Sequence, residues 1–318
     1  MKRAAFLIAL ILAVVIVAAW QRDMAAARAR VGQGSKLVAT SWGPVEWAES
    51  GTGPPLLMIH GTGGGFDQGL LFADAVRGHG LHVLAPSRFG YLRSGFPSDP
   101  SPQQQAKAFA ALLDHLGIKR VAVAGGSAGA LSAAAFALEY PERCAALILL
   151  VPAGNVTGRD PVQMTPWQER MVAALAGSDF LYWSALQATP GMLTRRLLAT
   201  DPELVAHASP AEQRRVGKIL RTMLPISRRT RGMIEDARRA GEPQAIDYAA
   251  IRVPTLIISV EDDRFGTAAT ARLLAATIPA ARRHIYAAGG HVWVGHDADM
   301  ARRIADFVKA AFDRPAAR

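Results

Sequence analysis

A serine, a group of carboxylates and a histidine stand in this chain where they can act on one reacting group. The serine is Ser127, in Val121-Ala122-Val123-Ala124-Gly125-Gly126-Ser127-Ala128-Gly129, where an apolar run meets G-x-S-x-G and then an alanine-rich helical run. That pattern makes a nucleophile elbow, a sharp strand-to-helix turn that lifts a hydroxyl from the end of a sheet while Gly125 and Gly129 let strand and helix pass closely. The same letters also spell an ordinary Gly/Ser turn, so the assignment draws on the strand and helix around it. Glu261, Asp262 and Asp263 follow the apolar run Val253 to Val260, and a carboxylate there would orient a histidine. The histidine expected to answer is His291, in Gly289-Gly290-His291-Val292-Trp293, whose glycines let the imidazole reach over the sheet edge toward Ser127. His296, beside Asp297 and just before the last helical run, reads instead as a helix-cap or loop residue. A serine hydroxyl is a weak nucleophile at neutral pH until an imidazole takes its proton, and a carboxylate keeps that imidazole in the needed tautomer.

Such chemistry needs donors for a developing oxyanion. Leu56-Leu57-Met58-Ile59 ends in His60-Gly61-Thr62-Gly63-Gly64-Gly65, a segment that resembles the oxyanion loop of lipases and esterases. The N–H of Ala128 and that of Thr62 or Gly63 are the expected oxyanion-hole donors, and losing one such donor typically costs about 100- to 1000-fold in rate. His60 is expected to hydrogen-bond structurally within the loop. A phosphate-binding loop is disfavoured, because the Gly-Lys-Ser/Thr ending that grips phosphate and magnesium is missing.

With oxyanion loop, serine, acid and histidine in that order, the chain from about Val38 to Phe312 resembles the α/β-hydrolases and departs from the order in chymotrypsin or subtilisin. The resemblance implies a catalytic set of Ser127, Asp263 and His291. The family's acid lies in a Gly-x-x-Asp turn, which Val260-Glu261-Asp262-Asp263 matches with valine for glycine; this points to Asp263 and keeps Asp262 as the alternative, with Glu261 a solvated loop charge. Serine at 127 argues against the dehalogenases and epoxide hydrolases of this fold, which use aspartate there. The implied activity is hydrolysis of a carboxylic ester, apolar or lipid-like, through an acyl-enzyme. Amide hydrolysis, cleavage of a carbon–carbon bond in a diketone-like substrate and cofactor-free perhydrolysis are compatible with the same resemblance, and a small-molecule binding protein is the non-catalytic alternative. No histidine, cysteine and carboxylate cluster has ligand spacing, so neither a metal nor an organic cofactor is expected.

These residues need elements to hold them. At 318 residues and 50% apolar composition, the chain supports one large α/β unit with an insertion. Strands are expected at 37–42, 45–49, 55–59, 81–85, 119–124, 146–151, 253–259 and 282–286, with helices after Gly65 and over 102–116, 128–139 and 267–277. The alternation predicts a mainly parallel eight-stranded sheet with helices on both faces, built from 37–153 and 251–313. Residues 154–250 break the alternation with helical stretches separated by prolines, and fit the inserted helical cap that this family often carries. Trp167, Tyr182 and Trp183 are the candidate pocket residues there, ordinary packing being the other reading of such side chains.

The amino terminus carries a second signal. Ala4 to Trp20 is uninterrupted and apolar, behind Lys2 and Arg3; as a helix it reaches roughly 25 Å, near the lower limit for crossing a bilayer core. A single-pass membrane anchor over 1–22 with a linker over 23–36 is the favoured reading, and a cleaved signal peptide leading to secretion is the alternative. Basic residues flank both ends, so the positive-inside rule selects no orientation. The net charge of +10 is concentrated in the cap, from Arg195 and Arg196 to Arg238 and Arg239, a cluster that suits anionic headgroups or is a set of solvated helix faces. No nucleic-acid-binding signature is present, nothing specifies an oligomeric state, and the lone Cys144 precludes an intrachain disulfide.

Overall fold

The computed structural model describes the chain apart from residues 155–169, 171, 172, 175, 242–245, 280 and 314–318. Its centre is an eight-stranded sheet of β1 (Lys36–Thr40), β2 (Gly43–Ser50), β3 (Pro55–Ile59), β4 (His82–Pro86), β5 (Val121–Gly126), β6 (Cys144–Leu150), β7 (Thr255–Val260) and β8 (Ala281–Tyr286). The spatial order is β1-β2-β4-β3-β5-β6-β7-β8. β2 pairs antiparallel with β1 and β4, and every other pairing is parallel. Parallel strands covered on both faces must be apolar throughout, and β5, β6 and β7 are buried at every residue. At the edge, β8 reads Ala-Arg-Arg-His-Ile-Tyr, and its charges discourage pairing with another chain.

One face of the sheet is covered by α3 (Pro102–His115), α4 (Gly129–Glu139) and α10 (Thr267–Thr277), whose Phe109, Phe136 and Leu274 pack on Val123, Leu147 and Ile257. The other is covered by α2 (Phe66–Arg77) and α11 (Asp297–Phe312), which bring Val76, Ile304 and Val308 onto Met58, Ala124 and Ile148. The strand order does the positioning. β3 lies beside β5, with Ile59 opposite Gly125, so the glycine loop after β3 meets the turn after β5. β7 and β8 bring the acid and histidine loops to the same carboxyl edge, where open parallel sheets place their ligands.

Between β6 and β7 lies the helical cap: α5 (Asp179–Ala188), α6 (Pro190–Leu197), α7 (Pro202–Ala206), α8 (Pro210–Thr222) and α9 (Thr230–Gly241). Proline opens α6, α7 and α8 at the first helical position, where its missing N–H costs nothing, and Ser209 caps α8 through the N–H of Glu212. The basic cluster of this region is not one free surface. Arg229 is fully buried on Asp67, and Arg215 pairs with Glu212 and Asp297.

α1 spans Lys2–Gln33 without a break, and so passes through most of the segment expected as a linker. The alanine-rich stretch Ala25 to Ala29 favours helix, and the chain leaves it only at Gly34. Phe6 to Val17 are exposed, whereas Met24, Ala27 and Val31 are buried along one stripe. Met24 and Ala27 share a cluster with Trp183, Leu220 and Met223 of the cap. By length and composition the helix can cross a membrane.

Candidate active site

Ser127 sits at the turn between β5 and α4 with φ of 51°, a left-handed conformation that a residue with a Cβ adopts only under constraint. The constraint comes from both neighbours. Its N–H donates to Leu150 O at 2.9 Å, and its carbonyl accepts from Ala130 and Ala153 at 3.0 and 3.1 Å. The flanking glycines are required by contact: a Cβ on Gly125 would stand 2.5 Å from Gly129 O, and one on Gly129 would stand 2.5 Å from His60 O.

The acid and histidine meet. Asp263 Oδ2 lies 2.8 Å from His291 Nδ1, and the carboxylate also accepts from the Phe265 N–H at 2.9 Å and from the Thr267 hydroxyl. Burial pushes the Asp263 carboxyl up, but the His291 charge and these hydrogen bonds outweigh it and hold the group below the usual carboxylate range. Asp262, the alternative acid, is exposed and accepts from the Gly290 N–H at 2.8 Å, so it fixes the backbone of the histidine loop. His296 is at the N-terminus of α11, its Nε2 lies 2.8 Å from Ala288 O, and its ring stacks on Tyr286. Ser127 and His291 line one cavity of about 260 Å³. Among the described residues the Ser127 hydroxyl has no hydrogen-bond partner in the protein, and such bonds often tighten only when substrate is bound.

The loop after β3 borders that cavity through Gly61 and Thr62. Gly63 takes φ of 76°, and its N–H approaches the Tyr91 hydroxyl at 3.4 Å. The N–H groups of Thr62 and Ala128 have no backbone acceptor among the described residues. Of the three N–H groups expected as oxyanion donors, those of Thr62 and Ala128 are therefore the freer, with Gly63 partly engaged. His60 is fully buried, accepts from the Arg88 N–H on Nε2 at 2.9 Å and faces Gly61 O with Nδ1 at 2.7 Å. Burial and the nearby Arg88 push its pKa well down, so it stays neutral as a brace for the loop.

The pocket differs from expectation. Tyr182 and Trp183 do not line it, while Trp167 lies outside the described residues. The Tyr182 hydroxyl donates to Leu220 O at 2.8 Å inside the cap core, and Trp183 Nε1 donates to Asp23 of α1 at 3.0 Å. Both side chains follow the buried stripe of α5, which faces α8 and α1 rather than the sheet edge. The walls come instead from Phe72, Leu198, Ile219, Met223, Phe265 and Trp293. The Phe265 ring meets His291 edge-on at 4.9 Å.

A polar network behind the cavity was not legible in any motif. Asp236 of α9 accepts from Arg88 Nη1 and Nη2 at 2.7 and 2.6 Å, from Thr62 Oγ1 at 2.9 Å and from the Tyr91 hydroxyl. Arg88 is buried, yet Asp236 keeps its guanidinium charged and raises its pKa. The cap thereby holds the glycine loop by a side chain more than a hundred residues away in sequence, and only the assembled fold brings the two together.

Known proteins share this fold. Residues 54–294 match the family model described as alpha/beta hydrolase fold. The chain is 29% identical over 261 residues to the 2-hydroxy-6-oxononadienedioate/2-hydroxy-6-oxononatrienedioate hydrolase of Burkholderia vietnamiensis, covering 78% of this chain and 84% of that one. Among solved structures it is similar to an alpha/beta hydrolase fold protein from Nakamurella multipartita, at a TM-score of 0.65 and 27% identity over 87% of this chain and 99% of the other. A membrane phospholipase A shares the fold at a TM-score of 0.65 and 21% identity, with 99% of this chain and 100% of that chain covered.

Proposed function

The chain belongs to the α/β-hydrolase family and is a hydrolase; within that class we propose that it cleaves carboxylic esters of apolar or lipid-like acyl groups through Ser127, His291 and Asp263, at a membrane in which residues 4–20 anchor it. His291 takes the Ser127 proton as Oγ attacks the ester carbonyl, and the carbonyl oxygen, now negative, accepts from the N–H groups of Thr62 and Ala128. Collapse expels the alcohol with the proton from His291 and leaves an acyl-enzyme. Water, deprotonated by the same imidazole, then attacks, releases the acid and restores the serine. Asp263 stays ionised throughout and stabilises the imidazolium, which suits a carboxylate held below its usual range.

The observation that carries this reading is the chamber in front of Ser127. Its walls are apolar over most of their area, and of its charged members Asp236 is neutralised by Arg88 while Arg196 is exposed. Such a chamber favours an uncharged acyl chain over a dicarboxylate, since a buried carboxylate without a partner is costly. A second reading keeps the reaction named for the Burkholderia relative, cleavage of a carbon–carbon bond in a dienedioate. Arg196 favours it, as the one cation among the described residues lining the cavity that can receive a substrate carboxylate.

The test is turnover of 4-nitrophenyl acetate, octanoate and palmitate by the detergent-solubilised full chain, beside a 2-hydroxy-6-oxo-dienedioate, with Ser127 probed by a fluorophosphonate. Preference for the longer esters, lost by at least about 1000-fold in Ser127→Ala, is the expected result. Faster turnover of the dienedioate would transfer the assignment to carbon–carbon bond hydrolysis. Failure of folded wild type to label or turn over any substrate would overturn both.

A further inference from the structure

The second half of α1 reaches further into the hydrolase than an anchor requires. Val31 is buried against Ala48 of β2 and Phe66, the first residue of α2. One residue earlier, Arg30 donates from Nε to Asp67 Oδ2 at 3.1 Å, from Nη2 to Thr222 O at 3.1 Å, and also to Leu224 O. Asp67 follows Phe66 directly behind the oxyanion loop. Its buried carboxylate is shared with Arg229, which donates to Oδ1 at 3.1 Å and to Oδ2 at 2.8 Å. Arg229 also donates to Thr222 O at 2.8 Å and to Gly64 O within the loop itself. It reaches that carbonyl because Gly65 has no side chain; a Cβ there would stand 2.8 Å from Arg229 Nη1.

Two guanidiniums on one carboxylate leave a surplus positive charge, which is unfavourable in a poorly hydrated place unless other groups offset it. Here the carboxyl end of α8 does so, with the carbonyls of Thr222 and Leu224 and the negative end of its dipole directed at both cations. Burial pushes the Asp67 carboxyl up, but the guanidiniums of Arg229 and Arg30 overcome this and hold it below its ordinary range, so the bridge is ionised at neutral pH. A continuous path of charge-assisted hydrogen bonds thus runs from Arg30 through Asp67 and Arg229 to Gly64.

We propose that α1 is part of the active-site scaffold: Arg30 is a positioning residue that, through Asp67 and Arg229, fixes Gly64 and with it the Gly61–Gly64 turn that carries the Thr62 N–H, so the oxyanion hole is fully formed only while α1 is seated on the cap. The inference rests on the serine-hydrolase reading above. It makes the docked state of the anchor helix a determinant of turnover and does not depend on whether α1 crosses a bilayer.

The experiment compares full-length wild type, Arg30→Ala, Arg30→Lys and Asp23→Asn in one detergent. The readouts are kcat and KM for 4-nitrophenyl octanoate, affinity for an alkyl trifluoromethyl ketone and melting temperature. The ketone adds to Ser127 and places a negative oxygen in the oxyanion hole. Arg30→Ala is expected to lower kcat about tenfold with KM nearly unchanged, and to weaken the ketone in step with kcat/KM, as a loss of transition-state stabilisation requires. Arg30→Lys should fall between it and wild type. Asp23→Asn, which removes a charge of α1 but keeps an acceptor for the Trp183 Nε1 and so leaves the helix seated, should retain wild-type kcat. Wild-type kcat in Arg30→Ala, a loss confined to KM, or an equal loss in Asp23→Asn would overturn the proposal. If Arg30→Ala does not fold, Arg30→Lys decides, and wild-type kcat in it is the overturning result. Absence of turnover and of fluorophosphonate labelling in wild type would instead strike the serine-hydrolase reading.

Discussion

Asp262 and Asp263 are adjacent, chemically identical and separated entirely by where the turn points them. Asp263 is buried, faces His291 and accepts from the Phe265 N–H and the Thr267 hydroxyl, while Asp262 is exposed and accepts from the Gly290 N–H. The difference gives a residue-scale prediction. Asp263→Asn removes the negative charge and reverses the preferred tautomer of the imidazole, so kcat should fall by about 1000- to 10,000-fold. Asp262→Asn retains an acceptor for Gly290 and should change kcat by less than about tenfold. Single-turnover acylation with 4-nitrophenyl octanoate checks both, and equal losses would assign the acid role wrongly. Sequence could bring the acid to this pair of positions, because the expected family turn ends there, but backbone direction within a turn is set by its tertiary contacts.

At the scale of elements, the elbow works because β5, α4 and the loop after β3 crowd together at glycines. A methyl on Gly125 would meet Gly129 O at 2.5 Å and Gly129 C at 2.7 Å, which are backbone atoms that no rotamer change can move aside. Gly125→Ala should therefore lower stability by about 2–3 kcal/mol and displace Ser127. Thermal unfolding in detergent, read beside fluorophosphonate labelling, tests this; an unchanged melting temperature with normal labelling would contradict the crowding argument. The eight strands were legible because buried parallel strands are short apolar runs between turn residues, and their observed ends lie within a few residues of expectation. The cap was legible as helices and not as a pocket wall. Its aromatic side chains follow the helix stripe that packs on α8 and α1, and which neighbour a stripe faces is not written in its period.

At the scale of the whole molecule, α1 divides into an exposed apolar half and a docked half. Phe6 to Val17 are exposed, and at the far end Met24, Ala27 and Val31 are buried. If the exposed half lies in a bilayer, an arginine at its middle is penalised by about 3 kcal/mol. Ile11→Arg should therefore shift the full chain from an alkali-resistant membrane fraction toward the soluble one, with esterase activity per labelled Ser127 retained in detergent. Intact-mass measurement of the wild type distinguishes a retained anchor from a cleaved signal. A chain shortened by removal of the apolar run would overturn the anchor reading.

By itself the sequence determined the order of strands and helices, the strand-to-helix turn at Ser127, the glycine loop at residues 60–65 and the two loops that supply Asp263 and His291, because each depends on neighbours close along the chain. Hydrophobic period, glycine placement and turn chemistry are local properties and can be read locally. Only the tertiary structure decided that Asp236 of the cap holds Thr62, that Tyr182 and Trp183 pack away from the cavity, and that Arg30 and Arg229 converge on Asp67. These pairings join residues up to 174 positions apart. They exist because strand order and helix docking remove water from charged groups, which must then find partners wherever the fold has brought them.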